Sequence, residues 1–365
     1  MRKMVCKRCL LTDEIPSVTI GELGQCNFCD LHDTLELQSA DINIQDVIRD
    51  IRQRGRKFKY DCLMGISGGF DSSFLLHLLV VEYKLKVLAF HFDNGWNGKE
   101  AKANMRAMVK GTGVEFITFS MNNKQLNALN LAFLKAGVTD ADIPNDMAMS
   151  KYVYEIAEHY KIKTIINGHN FRYEGSSPLG WSYMDAKYIQ SVAKAYDVNI
   201  STYPILTFWD QIRAMRKGIK SIRPLYYVQH NKEEMKLMLE EKYGWQDYGG
   251  NHGENVYTEF VGGYLLPLKF GINKKILYRS AELRSGFITR EVAEKESTVS
   301  EFNPKKLKRI EKALGVSVDE IMDYSITDRK QFKSYHDDFK RWSWLVLIGV
   351  KLGYFPMTFY KKYCR

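Results

Sequence analysis

The sequence predicts an α/β fold: a parallel sheet with helices on both faces, preceded by a small ribbon and followed by a mostly helical C-terminal region. Three observations carry this. Short apolar runs alternate with helical stretches between residues 61 and 167. A turn rich in glycine and serine, Gly65-Ile-Ser-Gly-Gly-Phe-Asp-Ser-Ser73, joins the first apolar run to a helix. Four of the six cysteines fall in the first 29 residues.

Taken in order, the cysteines come first. Cys6-Lys-Arg-Cys9 and Cys26-Asn-Phe-Cys29 stand sixteen residues apart, the spacing of two knuckles that share one four-thiolate zinc ion. Pro16, Gly21 and Gly24 lie between them with too few apolar residues for a separate core, so the metal would supply the folding energy. Two disulfides or an iron–sulfur cluster are the competing uses of such cysteines. The zinc reads as structural, because four thiolates leave no open position. Cys62 reads as a core residue and the penultimate Cys364 as an exposed bystander.

Strands are expected at 61–66, 86–92, 114–119 and 163–167, and helices at 73–84, 98–111 and 146–160. In such sheets ligands bind beyond the carboxyl ends of the strands. Ser67 follows the first strand, Asp93-Asn-Gly-Trp96 the second and Gly168-His-Asn170 the fourth, so three tips converge on one nucleotide pocket. Gly68 and Gly69 let the backbone approach a bulky anion, and the amides of the first helical turn point at it. Ser67, Ser72 and Ser73 add hydroxyls. Asp71 would repel phosphate unless a cation lies between, which implies Mg²⁺ arriving with a polyphosphate. The spacing is neither the Walker loop nor Gly-x-Gly-x-x-Gly. Asp93 is placed for a ribose or the reacting centre, and His169 for the α-phosphate or a metal; each also suits a turn or a cap.

Residues 171–290 are dense in aromatics and glycines, including Phe171-Arg-Tyr-Glu-Gly175, Trp181, Trp209, Trp245 and Gly249-Gly-Asn-His-Gly253, which suits a substrate cavity. Two short amphipathic helices are expected around Gly315. The division is a zinc ribbon at 1–35, a nucleotide domain at 45–230, a substrate-site extension at 231–300 and a basic helical region at 301–365.

With 45% hydrophobic and 13% aromatic residues the chain can bury a full core. No stretch is apolar enough to span a bilayer, and Met-Arg-Lys-Met-Val-Cys has no signal core; a cytoplasmic location is expected. The net charge is +10, but from Arg329 onward nine Lys/Arg face two Asp/Glu. The excess is therefore a tail property rather than a nucleic-acid face. Trp342-Ser-Trp-Leu-Val-Leu-Ile-Gly-Val350 reads as a helix docked into the core with snorkelling lysines, or as a segment in contact with a membrane surface.

The turn resembles the Ser-Gly-Gly-x-Asp-Ser-Ser/Thr signature of the N-type ATP pyrophosphatases, the PP-loop ATPases of adenine nucleotide α-hydrolase-like fold. Further strings narrow the resemblance: Asn167-Gly-His-Asn-Phe-Arg-Tyr-Glu-Gly175, Trp181-Ser-Tyr-Met-Asp185, Pro224-Leu-Tyr-Tyr227, Gly244-Trp-Gln-Asp-Tyr-Gly-Gly250, Lys269-Phe-Gly-Ile272 and Arg284-Ser-Gly-Phe-Ile-Thr-Arg-Glu291. They look like the N-acetyl sugar amidotransferase family of bacterial lipopolysaccharide (O-antigen) and flagellin-glycan pathways. That resemblance implies an ATP-dependent amidotransferase, forming AMP and pyrophosphate. It would convert the acetamido group of a nucleotide-linked sugar to an acetamidino group through an adenylated imidate. Ammonia would come from a separate glutaminase with a cyclase-like channel subunit, and no nucleic acid is expected. The implied cofactors are ATP, Mg²⁺ and Zn²⁺. Asp71, His169 and Lys269 would be catalytic. Ser67, Gly68, Gly69, Asp71, Ser72, Ser73, Asp93 and Gly168 would bind ATP, with Asp71 on Mg²⁺ and Cys6, Cys9, Cys26 and Cys29 on zinc. Lys269, Lys274 or Lys275 would meet the leaving pyrophosphate. The chain departs from the family pattern at Asn251, Asn255, Asn273 and Lys275. A PP-loop enzyme that modifies a tRNA base is the alternative; no second cysteine pair lies near the loop for sulfur transfer, although lysidine-type enzymes need none. A scaffold with a degenerate nucleotide site is disfavoured by the intact motif. The sugar and its carrier stay open.

Overall fold

Five short parallel strands form one sheet: β1 Cys62–Gly65, β2 Val87–Asp93, β3 Glu115–Ser120, β4 Thr164–Ile166 and β5 Lys220–Ile222, in the order β3-β2-β1-β4-β5. The computed structural model describes residues 3–178, 180–248, 253–299, 301–332 and 337–364. Strand alternation sends side chains to two faces. Cys62 and Met64 enter one core with Leu75, Leu79 and Trp245. Leu63 enters the other with Leu88, Ile156 and Ile165. Both faces are covered, as continuous apolar strands require.

The four expected strands are present within a residue or two of their expected ends. β5 was not expected. It is three residues long with a single apolar side chain, too short for a period to register, and it forms because Lys163 and β4 present unpaired backbone groups. The helix Asn123–Lys135 likewise has no counterpart among the expected elements. The helix after the loop starts at Phe70, three residues before the expected position, because Gly69 adopts extended backbone as its cap. It then loosens into a π-helical turn at Leu78–Glu82. The helix Ile143–His159 begins ahead of expectation with Pro144 in its first turn, where a missing amide costs nothing.

Helices Pro304–Leu314 and Val318–Asp323 flank Gly315, which holds φ +74 as a left-handed cap. The tail docks. Phe339, Val346 and Tyr363 are buried with Phe133, Tyr188 and Phe208. Cys364 is buried there too, at 8% exposure, and is not an exposed bystander; the aromatic tail folds its last turn onto the core. Lys362 is drawn in beside Ser182 Oγ at 3.4 Å, and burial pushes its ammonium down to about 8. No helix among the described residues is long and apolar enough to cross a membrane. Residues 249–252 of the glycine-rich string, Asn251 included, lie outside the described residues.

Candidate nucleotide site and its neighbouring metal cluster

Between β1 and β4 the order of winding reverses, and at such a switch point the loops leave in opposite directions and open a crevice. The Ser67–Ser73 turn fills one side of it. Gly68 takes φ +84, and a Cβ there would stand 2.2 Å from the carbonyl oxygen of Ala101; only glycine fits. The Gly68 carbonyl accepts from Trp245 Nε1 and from Asn104 Nδ2, each at 3.1 Å. Asn104 is itself held by both backbone groups of Gln246, at 2.8 and 2.9 Å. The loop is thus clamped by residues far along the chain. Inside it, Gly69 N donates to Ser67 Oγ at 3.3 Å and Ser72 Oγ donates to Gly69 O at 3.1 Å. A Cβ on Gly69 would point at Tyr248 Oη, 3.1 Å away, and at Ser67 Oγ, 3.3 Å away. The missing side chain leaves a cradle sized for a ligand, which fits a phosphate chain.

A cavity of about 560 Å³ opens from this cradle. Ser67, Gly69, Asp71 and Ser72 line it from the loop, and Gly168 and His169 from the tip of β4. His169 is fixed from three sides. Its amide donates to Asn167 Oδ1 at 2.8 Å, its Nε2 faces Gly175 O at 3.0 Å, and its Nδ1 lies 3.0 Å from Tyr226 Oη. Gly68 and Ser73 build the turn from behind; Ser73 is buried, its amide on Gly69 O at 3.1 Å.

Two expected residues stand elsewhere. Asp93 does not line the cavity, because β2 flanks β1 on the side away from the β1/β4 crevice. Its Oδ1 accepts from Gly95 N at 3.0 Å and Lys102 Nζ lies 3.6 Å from its Oδ2. Burial pushes this carboxyl up, but those partners hold it below its ordinary range. Lys269 donates to the carbonyls of Ile321 and Met322 at 2.7 and 3.0 Å, capping the C-terminal end of the helix Val318–Asp323. Lys275 likewise donates to Thr298 O at 3.2 Å, and none of the three proposed lysines lines the cavity.

The cations that do line it are Lys232, Lys236 and Arg279, outnumbered by seven carboxylates. A polyphosphate enters such a field only with a divalent cation. Lys236 pairs with Glu233 and Asp247 at 3.0 and 2.8 Å, and Arg279 with Glu282 and with Glu296 at 3.1 Å. Lys232 has no ion pair among the described residues; its ammonium lies 5.6 Å from the Phe70 ring and 5.2 Å from the Tyr173 ring. Sequence reasoning missed it, as it missed Asn104, because a lysine opening a charged helix carries no local signal.

The four ribbon cysteines are buried and meet at one point, with Cys6–Cys29, Cys9–Cys26 and Cys26–Cys29 sulfur separations of 3.7, 3.6 and 3.6 Å. A tetrahedral ion with metal–sulfur bonds near 2.3 Å sets its sulfurs about 3.8 Å apart. The donor set therefore fits a metal ion. Arg290 Nη2 donates to the carbonyls of Cys6, Lys7 and Cys9 at 3.1, 2.7 and 3.2 Å. Arg284 Nη1 points at Cys9 Sγ from 3.7 Å. Two arginines of the 284–291 string thus offset thiolate charge and hold the ribbon to the helix Lys275–Arg284. His32, beside the cluster, is pushed down to about 4 by burial and by Arg284.

Sheet order, switch point and clamped Ser67–Ser73 turn together give an α/β protein with its glycine-serine turn at the switch point, as the resemblance to the PP-loop class implies. Residues 254–348 match the family model described as LPS biosynthesis protein WbpG-like, C-terminal domain. An uncharacterized protein of Methanocaldococcus jannaschii is 26% identical over 255 residues, 69% of this chain and 77% of that protein. Among solved structures, NMN synthetase from Francisella tularensis aligns over 79% of this chain and 99% of its own, at 13% identity and TM-score 0.31. The NH3-dependent NAD synthetase of Campylobacter jejuni aligns over 56% and 94%, at 13% identity and TM-score 0.27. The U34-tRNA thiolase NcsA of Methanococcus maripaludis, with its 4Fe-4S cluster, aligns over 87% and 98%, at 15% identity and TM-score 0.29.

Proposed function

We propose that the chain is an ATP-dependent amidotransferase that converts an N-acetyl group on a nucleotide-linked sugar to an acetamidino group. The observation that carries this reading is the clamped loop at the β1/β4 switch point, opening onto a cavity rich in carboxylates, in a chain whose residues 254–348 match a lipopolysaccharide-biosynthesis family. An amide is a poor electrophile with a poor leaving group. Its oxygen, pushed by the nitrogen lone pair, attacks the α-phosphorus of ATP, and pyrophosphate leaves. Ammonia then adds to the imidate carbon, AMP departs with the oxygen, and loss of a proton gives the amidine. In this scheme Ser67, Gly69 and Ser72 cradle the phosphates, Asp71 accepts the Mg²⁺ that neutralises leaving pyrophosphate, and Lys232 takes the role first assigned to Lys269. His169, fixed by Gly175 and Tyr226, faces the α-phosphate end. Free ammonia is scarce near neutral pH, which favours a separate glutaminase as its source. Zinc is the ion proposed for the four cysteines, with a folding role.

The test is pyrophosphate release from Mg-ATP with ammonium chloride, across nucleotide-linked N-acetyl sugars and bulk tRNA, with Asp71→Ala as control. Release that depends on a sugar, with a product in which NH replaces O, is expected. Release stimulated by tRNA alone would move the chain to the tRNA modifiers.

The tail carries a second proposed contact. Trp344, Ile348 and Leu352 are exposed at 55%, 42% and 56% and are spaced to share one helical face, with Lys340, Arg341 and Lys351 nearby. This face suits an anionic membrane surface. Cosedimentation with phosphatidylglycerol vesicles but not phosphatidylcholine vesicles is expected; equal or no binding rejects it.

A further inference from the structure

Behind the nucleotide cavity lies a larger one of about 910 Å³, between the ribbon and the helix Lys275–Arg284. The two share Lys232, Glu233, Arg279, Glu282 and Glu296 in their walls, so ligands in them would meet along that line. The carboxylates of the second cavity are committed. Glu36 holds Arg172 through a two-pronged pair at 2.6 and 2.7 Å, Glu233 pairs with Lys236, and Glu282 and Glu296 pair with Arg279. Arg8 is taken by Asp33 at 2.6 Å, and Arg284 by the cysteine cluster. Lys232 is left, at the junction, as a cation with no ion pair among the described residues.

The aromatic side of the cavity is equally specific. Phe287 is 45% exposed while its inner face stacks on the buried Tyr173, ring centroids 4.8 Å apart and 25° from parallel. A phenyl ring held rigidly against a second ring, with its other face in solvent at the wall of a polar cavity, is a platform for a flat heterocycle. Phe287, Tyr173, Lys232 and Phe70 follow one another by contact, leading from that platform to the phosphate loop.

We propose that this second cavity is the acceptor site. It takes a nucleoside diphosphate whose base stacks on Phe287 and whose diphosphate shares Lys232 with the ATP phosphates at the common wall, so that the group it carries reaches the nucleotide cavity there. The assignment rests on the amidotransferase reading above and gives its acceptor a place.

The test is equilibrium binding of UDP, GDP, CDP and dTDP to the full chain, with Mg²⁺ and saturating α,β-methylene-ATP. At least one diphosphate should bind saturably without displacing the ATP analogue. Phe287→Ala should weaken it about tenfold and Phe287→Tyr restore it, neither changing the affinity for the analogue. Displacement of the analogue, binding indifferent to Phe287→Ala, or binding of none of the four overturns the proposal. Bulk tRNA bound through Phe287 when no diphosphate binds also overturns it, in favour of an RNA acceptor. Binding needs no turnover, which separates the two readings. Diphosphate binding that depends on Phe287, with no amidine formed, rejects the reaction and keeps the site; amidine formation indifferent to Phe287→Ala does the reverse.

Discussion

Two lysines of similar local sequence character have opposite assignments once their neighbours are known. Lys269 donates to two helix-end carbonyls, so Lys269→Met removes a cap and should cost about 1 kcal/mol of stability with the affinity for an ATP analogue unchanged. The Lys232 ammonium has no ion pair among the described residues and lines the cavity that opens from the phosphate cradle. Lys232→Met should leave the melting temperature within error and weaken the analogue several-fold. Calorimetry and titration on both variants check the pair, and the reverse pattern would reject both roles. Gly68 was legible as glycine for close approach, but the structure gives a different reason: its φ is positive and Ala101 crowds its Cβ position. Asp93 sat at a strand tip as expected yet off the cavity, since strand order, not strand sequence, decides which tips face one another.

At the scale of elements, the ribbon and the helix Lys275–Arg284 form one unit. Leu10 N donates to Ser280 Oγ at 3.1 Å, and Arg290 binds three carbonyls of the first knuckle. The cysteine spacing announced a metal site without any tertiary information, because two knuckles at that separation have few other uses. What the ribbon docks against was invisible, since its partners lie 270 to 284 residues away along the chain. Cys26→Ser should lower the bound metal from one ion per chain, measured by atomic absorption, and reduce the melting temperature by several degrees. Chelation should do the same to the wild type, while the sheet, with its own two cores, keeps its far-ultraviolet signature. A variant that retains full metal would count against the four-thiolate site. The Trp181–Asp185 string is tied to the core beside it: Tyr183 N and, just beyond the string, Tyr188 Oη both donate to the buried Asp140, at 2.7 and 3.1 Å.

Across the whole molecule, the basic tail closes the core rather than trailing from it. Drawing Lys362 inward has a measurable consequence. Its folded value near 8 lies below the ordinary 10.5, so the unfolded chain holds the extra proton between those values. The penalty is therefore complete below about pH 8 and fades as pH rises toward 10.5. Lys362→Met should be more stable than wild type at pH 7 by on the order of 2 kcal/mol, with the difference shrinking by pH 10 in urea denaturation. A difference that does not vary with pH would mean Lys362 stays charged in the fold. The amino-acid sequence alone determined the α/β class, the phosphate loop and the four-cysteine cluster, because each is written in local periodicity or in the spacing of a few residues. Tertiary structure alone decided which lysine faces the loop, what clamps the Gly68 carbonyl, that Cys364 is buried, and that a second cavity shares a wall with the first. Those facts depend on strand order and on packing between residues tens to hundreds of positions apart, and no local pattern encodes such distances.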